Sequence, residues 1–223
     1  MTVNIGEFDF DPVILDTLGW LSAVRAYLEE IETTLPEAKH RAINRVSETA
    51  KHQAWDAETL HLETEIIESK FDFDFPKLLR YSIVTLLHTV VESQLIRLAN
   101  YLRDRNGLSL QVKDFRGTSI EQTKLYFNKV VNLNVSNDQA WDELRDLATL
   151  RNIIVHRGGV QGADKNRQKA VSTLMQKYKG DLSLLGSSDN PDSEIEVSLN
   201  LCRRFLNTID QFFHRLFQAS GLQ

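Results

Sequence analysis

Cysteine is nearly missing from this chain of 223 residues: Cys202 stands alone, so no disulfide can form within it. A lone thiol fits a reducing compartment, and the fold must be held by packing alone. Four prolines and ten glycines are too few for a turn-rich sandwich or barrel. No apolar run approaches the roughly 20 residues that span a bilayer. The stretch from Met1 to Pro12 is acidic and lacks the basic-then-apolar order of a secretory signal. A cytoplasmic location without membrane attachment is the expectation. An excess of positive charge is also lacking, since the formal net charge is −5, which argues against a generally basic nucleic-acid binder. What is present is 42% hydrophobic and 26% charged residues, a balance that suits a globular protein. The length allows one domain, or one domain with an extension.

Charge is spread unevenly. Residues 1–75 carry 16 acidic and 6 basic side chains, a net of −10, and residues 76–223 carry 15 and 20, a net of +5. The stretch 151–179 holds Arg151, Arg157, Lys165, Arg167, Lys169, Lys177 and Lys179 against Asp164 alone. Such a segment attracts a polyanion even on an acidic molecule, although a charge run by itself also describes an ordinary solvated face.

The pattern predicts helices joined by short connections, with no fixed-period repeat. A first helix is expected from Pro12 to Thr34, and a second, polar one from Pro36 to about Lys70. The alternating segment Phe71 to Pro76 reads as an extended linker, which divides the chain into an acidic N-terminal helical extension (1–75) and a helical domain (76–219). From Pro76 to Arg105, Val84, Leu87, Val91, Leu95, Leu98 and Leu102 form one apolar stripe. Further helices are expected over 119–133, from a cap at Ser136 or Asn137 to His156, over 165–179, and from Ile195 to Ala219. The last carries Leu199, Cys202, Leu206, Ile209, Phe213 and Leu216 on one face. Between the last two, Gly186, Ser187, Ser188 and Pro191 predict a loop. The expected fold is all-α, an antiparallel helical bundle.

The helix ending at His156 has an arginine in an unusual place. At about 100° per residue, Leu144, Leu147, Ala148, Leu150, Ile154 and Val155 fill one arc and Arg151 falls near its middle. A guanidinium keeps its charge in a protein, so burial there demands an acidic partner or an anionic ligand. Asn152 and His156, four apart, lie at the margin of that arc with Arg145. On the stripe helix, His88 and Glu92 are four apart as well, which makes Glu92 the expected partner of Arg151 if the two helices pack. Each pair taken alone also reads as ordinary core or surface polarity. No metal-ligand spacing, phosphate-binding glycine loop or nucleophile elbow occurs, and His40, His52, His61 and His214 suggest nothing specific.

The run Arg151-Asn152-Ile153-Ile154-Val155-His156 resembles the R-N-x-x-x-H form of the R-x4-6-H motif of HEPN domains. Its setting is similar too: leucines upstream, a glycine pair after it, and an earlier helix with an acidic residue in an apolar context (Glu92 in HTVVESQL). The resemblance covers about 76–217, and residues 1–75 resemble no family. It implies an all-α domain that commonly forms homodimers with two motifs facing a cleft. It further implies a metal-independent endoribonuclease without cofactors, acting as a toxin with an antitoxin partner or as an antiphage defence effector. A non-catalytic module that binds nucleotide or RNA, or braces a dimer, is the alternative. Carried onto this chain, the expected catalytic residues are Arg151, Asn152 and His156 with Glu92 in support. Arg145, Arg157, Lys165, Arg167 and Lys169 are expected to bind RNA, and no metal ligand is expected.

These side chains suit the chemistry. Metal-free RNA cleavage uses the substrate's 2′-hydroxyl to attack the adjacent phosphorus, and needs a base, an acid and a cation. Histidine transfers protons near neutral pH, and arginine clamps phosphate permanently. One chain supplies one such histidine, and a two-fold dimer supplies two. The acidic segment 1–75 suggests either a cover for the site or a solubilising extension.

Overall fold

The computed structural model describes residues 11–133, 135 and 137–222 of the chain. The fold is all-α with one small hairpin: α1 (Pro12–Gln53), α2 (Ala57–Ser69), α3 (Phe75–Asn106), α4 (Ser119–Lys129), α5 (Ala140–Arg157), α6 (Lys165–Lys177), β1 (Leu182–Leu185), β2 (Glu194–Val197) and α7 (Leu199–Ala219). No helix among the described residues is long and apolar enough to cross a membrane.

Four long helices enclose the core. The apolar stripe of α3 is buried throughout, with Val84, Leu87, Val91, Leu95 and Leu98 wholly enclosed. It meets Val13, Leu21, Val24 and Leu28 of α1, Leu144, Leu147 and Leu150 of α5, and Phe205, Ile209, Phe212 and Phe213 of α7. Each such side chain stabilises the fold by about 1.5–3 kcal/mol relative to exposure. Polar pairs fix the helix directions. Tyr101 of α3 bonds Asp11 and Arg80 bonds Glu32, so α1 and α3 run antiparallel. Arg25 and Arg203 link α1 to α7 through Asn207 and Glu29, again antiparallel. Glu143 meets Arg204 and Asp138 meets Arg215, so α5 opposes α7. Exposed pairs of this kind add little energy, and their value is register. The first half of α1 thus packs into the same core as the helices after residue 76.

Several sequence expectations need correction. Helix α1 does not stop before Pro36 but runs through it to Gln53. Proline in a helix interior costs about 3 kcal/mol, and Glu32–Arg80 and Lys39–Asp72 pin α1 to the next layer on either side of it. The break falls at Ala54, in the left-handed region at φ 52°, and Asp56 caps α2 through the Thr59 amide. Phe71 to Pro76 is not an extended linker. Lys70–Asp74 forms a π-helical turn that carries α2 into α3 without interruption, with Phe71 and Phe75 packed edge to face at 4.8 Å. The wider hydrogen-bond ladder of that turn lies where Pro76 has no N–H to give.

Helix α4 ends at Lys129 rather than at 133, and α6 at Lys177 rather than at 179. Residues 195–198 are not helical; 195–197 belong to β2, which pairs antiparallel with β1, Leu182 facing Val197, and Ser198 caps α7. The loop around Gly186 to Pro191 is the tip of this hairpin. Asn137 does not cap α5, which begins after Gln139, with Asp138 Oδ1 accepting from the Ala140 amide at 2.9 Å. The alternative cap, Ser136, lies outside the described residues.

Candidate functional site

Helix α5 carries the motif, and its two ends are fixed locally. Asp142 and Glu143 lie in its first turn and His156 and Arg157 in its last, each sign favoured by the helix dipole there. Trp141 anchors the start through Nε1 to the Val135 carbonyl at 2.8 Å and packs on Phe212 at 4.7 Å. Gly158 ends the helix in the left-handed conformation. Gly159 follows at φ +90°, and a Cβ there would lie 2.1 Å from the Tyr81 hydroxyl. That close approach lets Tyr81 donate to the Ile195 carbonyl, while the Ile195 amide donates to Gly159 at 2.9 Å. The glycine pair after the motif therefore locks the end of α5 to α3 and β2.

Arg151 faces α3, as its place on the apolar arc predicted. It is half-buried, and its Nε is enclosed without a hydrogen-bond partner among the described residues. Glu92 does not pair with it. Glu92 Oε2 lies 3.3 Å from Nδ1 of buried His88, off the direction of a hydrogen bond. The Arg151 Nη1 donates instead to Asn152 Oδ1 at 3.0 Å. Burial holds the His88 imidazole below its ordinary pKa; the Glu92 charge opposes this and the Arg151 charge adds to it. His88, Glu92 and Arg151 thus form one interacting group between α3 and α5. Val155, placed on the core arc by the wheel, is 46% exposed.

Asn152 and His156 lie together on the outer face of α5. With Thr149, Ile153, Arg167 and Ala170 they line an open pocket of about 380 Å³ between α5 and α6. His156 is five positions after Arg151, so the two side chains leave the helix about 140° apart. Asn152 spans them: it is bonded to Arg151 and it borders the pocket of His156.

Two further guanidinium groups converge beside this pocket. Arg157 Nη1 and Arg167 Nη1 lie 2.6 and 3.6 Å from where a Gly162 Cβ would be, and Gly162 itself turns the chain at φ +78°. Neither makes an ion pair among the described residues, and Arg167 Nη1 is enclosed without a hydrogen-bond partner. Like charges so close, without a carboxylate between them, suit a bound anion. Lys165 and Lys169 are exposed on α6, whose first turn is capped by Asp164. Arg145 lies two turns before Asn152, exposed and paired with Asp142. Around it sit Arg116 and Lys124, which sequence reasoning missed because no local pattern links them to α5.

Among the described residues no three His, Cys, Asp or Glu side chains converge as metal ligands. Cys202 is enclosed beneath α1 and α3, and burial pushes its thiol up to about 12, which makes it inert packing.

No family model, curated protein or solved structure matches the chain. The HEPN resemblance therefore rests on the motif and its helical setting.

Proposed function

We propose that this protein is a metal-independent endoribonuclease of HEPN type, acting in the cytoplasm as a toxin or antiphage defence effector. The observation that carries the reading is the surface at the end of α5: His156 and Asn152 beside two guanidinium groups, Arg157 and Arg167, that make no ion pair among the described residues. An exposed imidazole next to a phosphate-binding cluster is what transesterification by the 2′-hydroxyl requires. His156 exchanges the proton with the 2′-hydroxyl or the leaving 5′-oxygen. Arg157 and Arg167 hold the phosphate, and Arg151 acts with Asn152. Glu92 supports the site through His88 rather than by pairing with Arg151.

The directions of Arg151 and His156 favour a homodimer as the working form. Within one chain they do not point at a common atom, so a second copy is needed to bring a second motif to the same phosphate. Exposed Val155, one turn after Arg151, gives that contact an apolar surface. An antitoxin or other regulatory protein is the further partner of this reading. A binding or dimerisation module without catalysis is favoured by the same divergence if the copies do not pair. The discriminating experiment is product analysis. The chain is expected to leave 2′,3′-cyclic phosphate and 5′-hydroxyl ends on RNA and to spare a 2′-O-methylated strand. RNA binding without cleavage would favour the module.

A further inference from the structure

A second cavity, of about 350 Å³, opens between α4 and α5 away from the motif. Leu125 gives it an apolar wall, above Ile120 and the indole of Trp141, both of which are buried. Three cations border it, each from a different segment: Arg116 before α4, Lys124 on α4 and Arg145 on α5. Arg116 and Lys124 have no ion pair among the described residues. Lys124 Nζ hangs 5.6 Å above the Trp141 ring. The one carboxylate in the lining, Glu121, is already committed. It accepts from the Thr118 amide and hydroxyl at 2.8 and 3.0 Å, and those bonds hold its pKa below the usual range.

A partly exposed leucine ringed by cations matches a flat base joined to a phosphate. Unpaired bases pack on apolar and aromatic side chains and on guanidinium planes, while the backbone follows positive charge. The position agrees. Arg145, Thr149, Asn152 and His156 follow at spacings of four, three and four along one face of α5, so cavity and motif share one surface. Arg145 and His156 are about 16 Å apart along the axis, within reach of a short oligonucleotide.

We propose that the cavity lined by Arg116, Lys124, Arg145 and Trp141 is a subsite for an unpaired nucleotide of a single-stranded RNA. The assignment of RNA rests on the ribonuclease reading; the subsite itself rests on the cavity. It positions a strand along α5, with one base against Leu125 and the Arg145 guanidinium and its phosphate between Arg116 and Lys124.

The test is binding of a labelled 2′-O-methyl oligouridylate, which resists transesterification, to the native full-length chain. Arg116→Glu and Lys124→Glu are each expected to weaken binding at least tenfold, with unchanged circular dichroism. Lys51→Glu, at the far end of α1, is expected to leave it unchanged. Unaltered affinity in both folded cavity variants would overturn the proposal, and so would an absence of oligonucleotide binding by the native chain. Uridine monophosphate competing as well as the oligonucleotide, in a manner lost in Arg116→Glu, would overturn it in favour of a free-nucleotide site. Weakened binding in a chain that cleaves no RNA would uphold the subsite and remove the ribonuclease reading. Cleavage with unaffected binding would do the reverse.

Discussion

Asn152 accepts a hydrogen bond from Arg151 Nη1 at 3.0 Å, and this bond joins the inward-facing and outward-facing halves of the motif. Arg151 has no carboxylate partner within ion-pair distance among the described residues, so the fold does not depend on its charge being matched. Arg151→Gln is therefore expected to change stability by no more than about 1 kcal/mol, measured by urea unfolding. RNA cleavage by the same variant is expected to fall about 100-fold, as for loss of a charge-stabilising donor. A collapse of stability with this substitution would identify a structural arginine instead.

Gly159→Ala is expected to destabilise the protein by about 1–3 kcal/mol, because it combines a left-handed backbone with a clash. The new methyl would meet the Tyr81 ring and hydroxyl. Gly158 has open space around it, so Gly158→Ala suffers from its backbone conformation alone and is expected to lose less. Thermal unfolding of the two variants side by side checks the ranking, and equal losses would contradict the locked end of α5.

Stability is expected to depend on pH through His88. Burial holds its folded pKa below the ordinary 6.5, so between those two values the unfolded chain binds more protons. The His88 contribution is fully present above about pH 6.5 and is lost as pH falls toward the lower, folded value. Carboxylates such as Asp138, where burial is outweighed by the bonds from Arg215 and the Ala140 amide, lose theirs only in a more acidic window, below their ordinary range. Urea midpoints from pH 7.5 to 5 are expected to decline in the parent and to flatten in His88→Gln. A parent midpoint constant across that range would refute the buried, neutral imidazole.

The helices with the strongest periodicity were legible from the chain. Every position of the α3 stripe from Val84 to Leu102 is buried, and the α7 face from Cys202 to Leu216 is too. The wheel puts Arg151 on the apolar arc of α5, and its Nε is enclosed there, while Val155 on the same arc is exposed. What failed was decided by contacts far apart in sequence. Pro36 reads as a break by its own chemistry, yet Glu32–Arg80 and Lys39–Asp72 hold α1 together around it. The four-residue strands have no lasting alternation, and β2 is held by its ladder to β1 and by the bonds of Ile195 to Gly159 and Tyr81. Glu92 lies beside His88, one turn before it, and not within ion-pair distance of Arg151, which spacing on α3 alone does not decide. The meeting of Arg157 and Arg167 depends on the chain reversing at Gly162, which spacing does not reveal.

If Arg157 and Arg167 contact phosphate, each contributes released counterions to RNA binding. Arg157→Gln and Arg167→Gln are each expected to lower the slope of log affinity against log salt by about 1. Lys51→Gln, remote from the site, is expected to leave the slope unchanged. Filter binding over a range of salt concentrations measures this, and slopes equal to the parent's would remove both arginines from the interface.

The most direct measurement is cleavage of total cellular RNA in EDTA by the purified protein and by its His156→Ala variant. The account predicts fragments with 2′,3′-cyclic phosphate ends from the parent and none from the variant. Equal cleavage by both proteins, or cleavage by the parent only when Mg²⁺ is supplied, would contradict it.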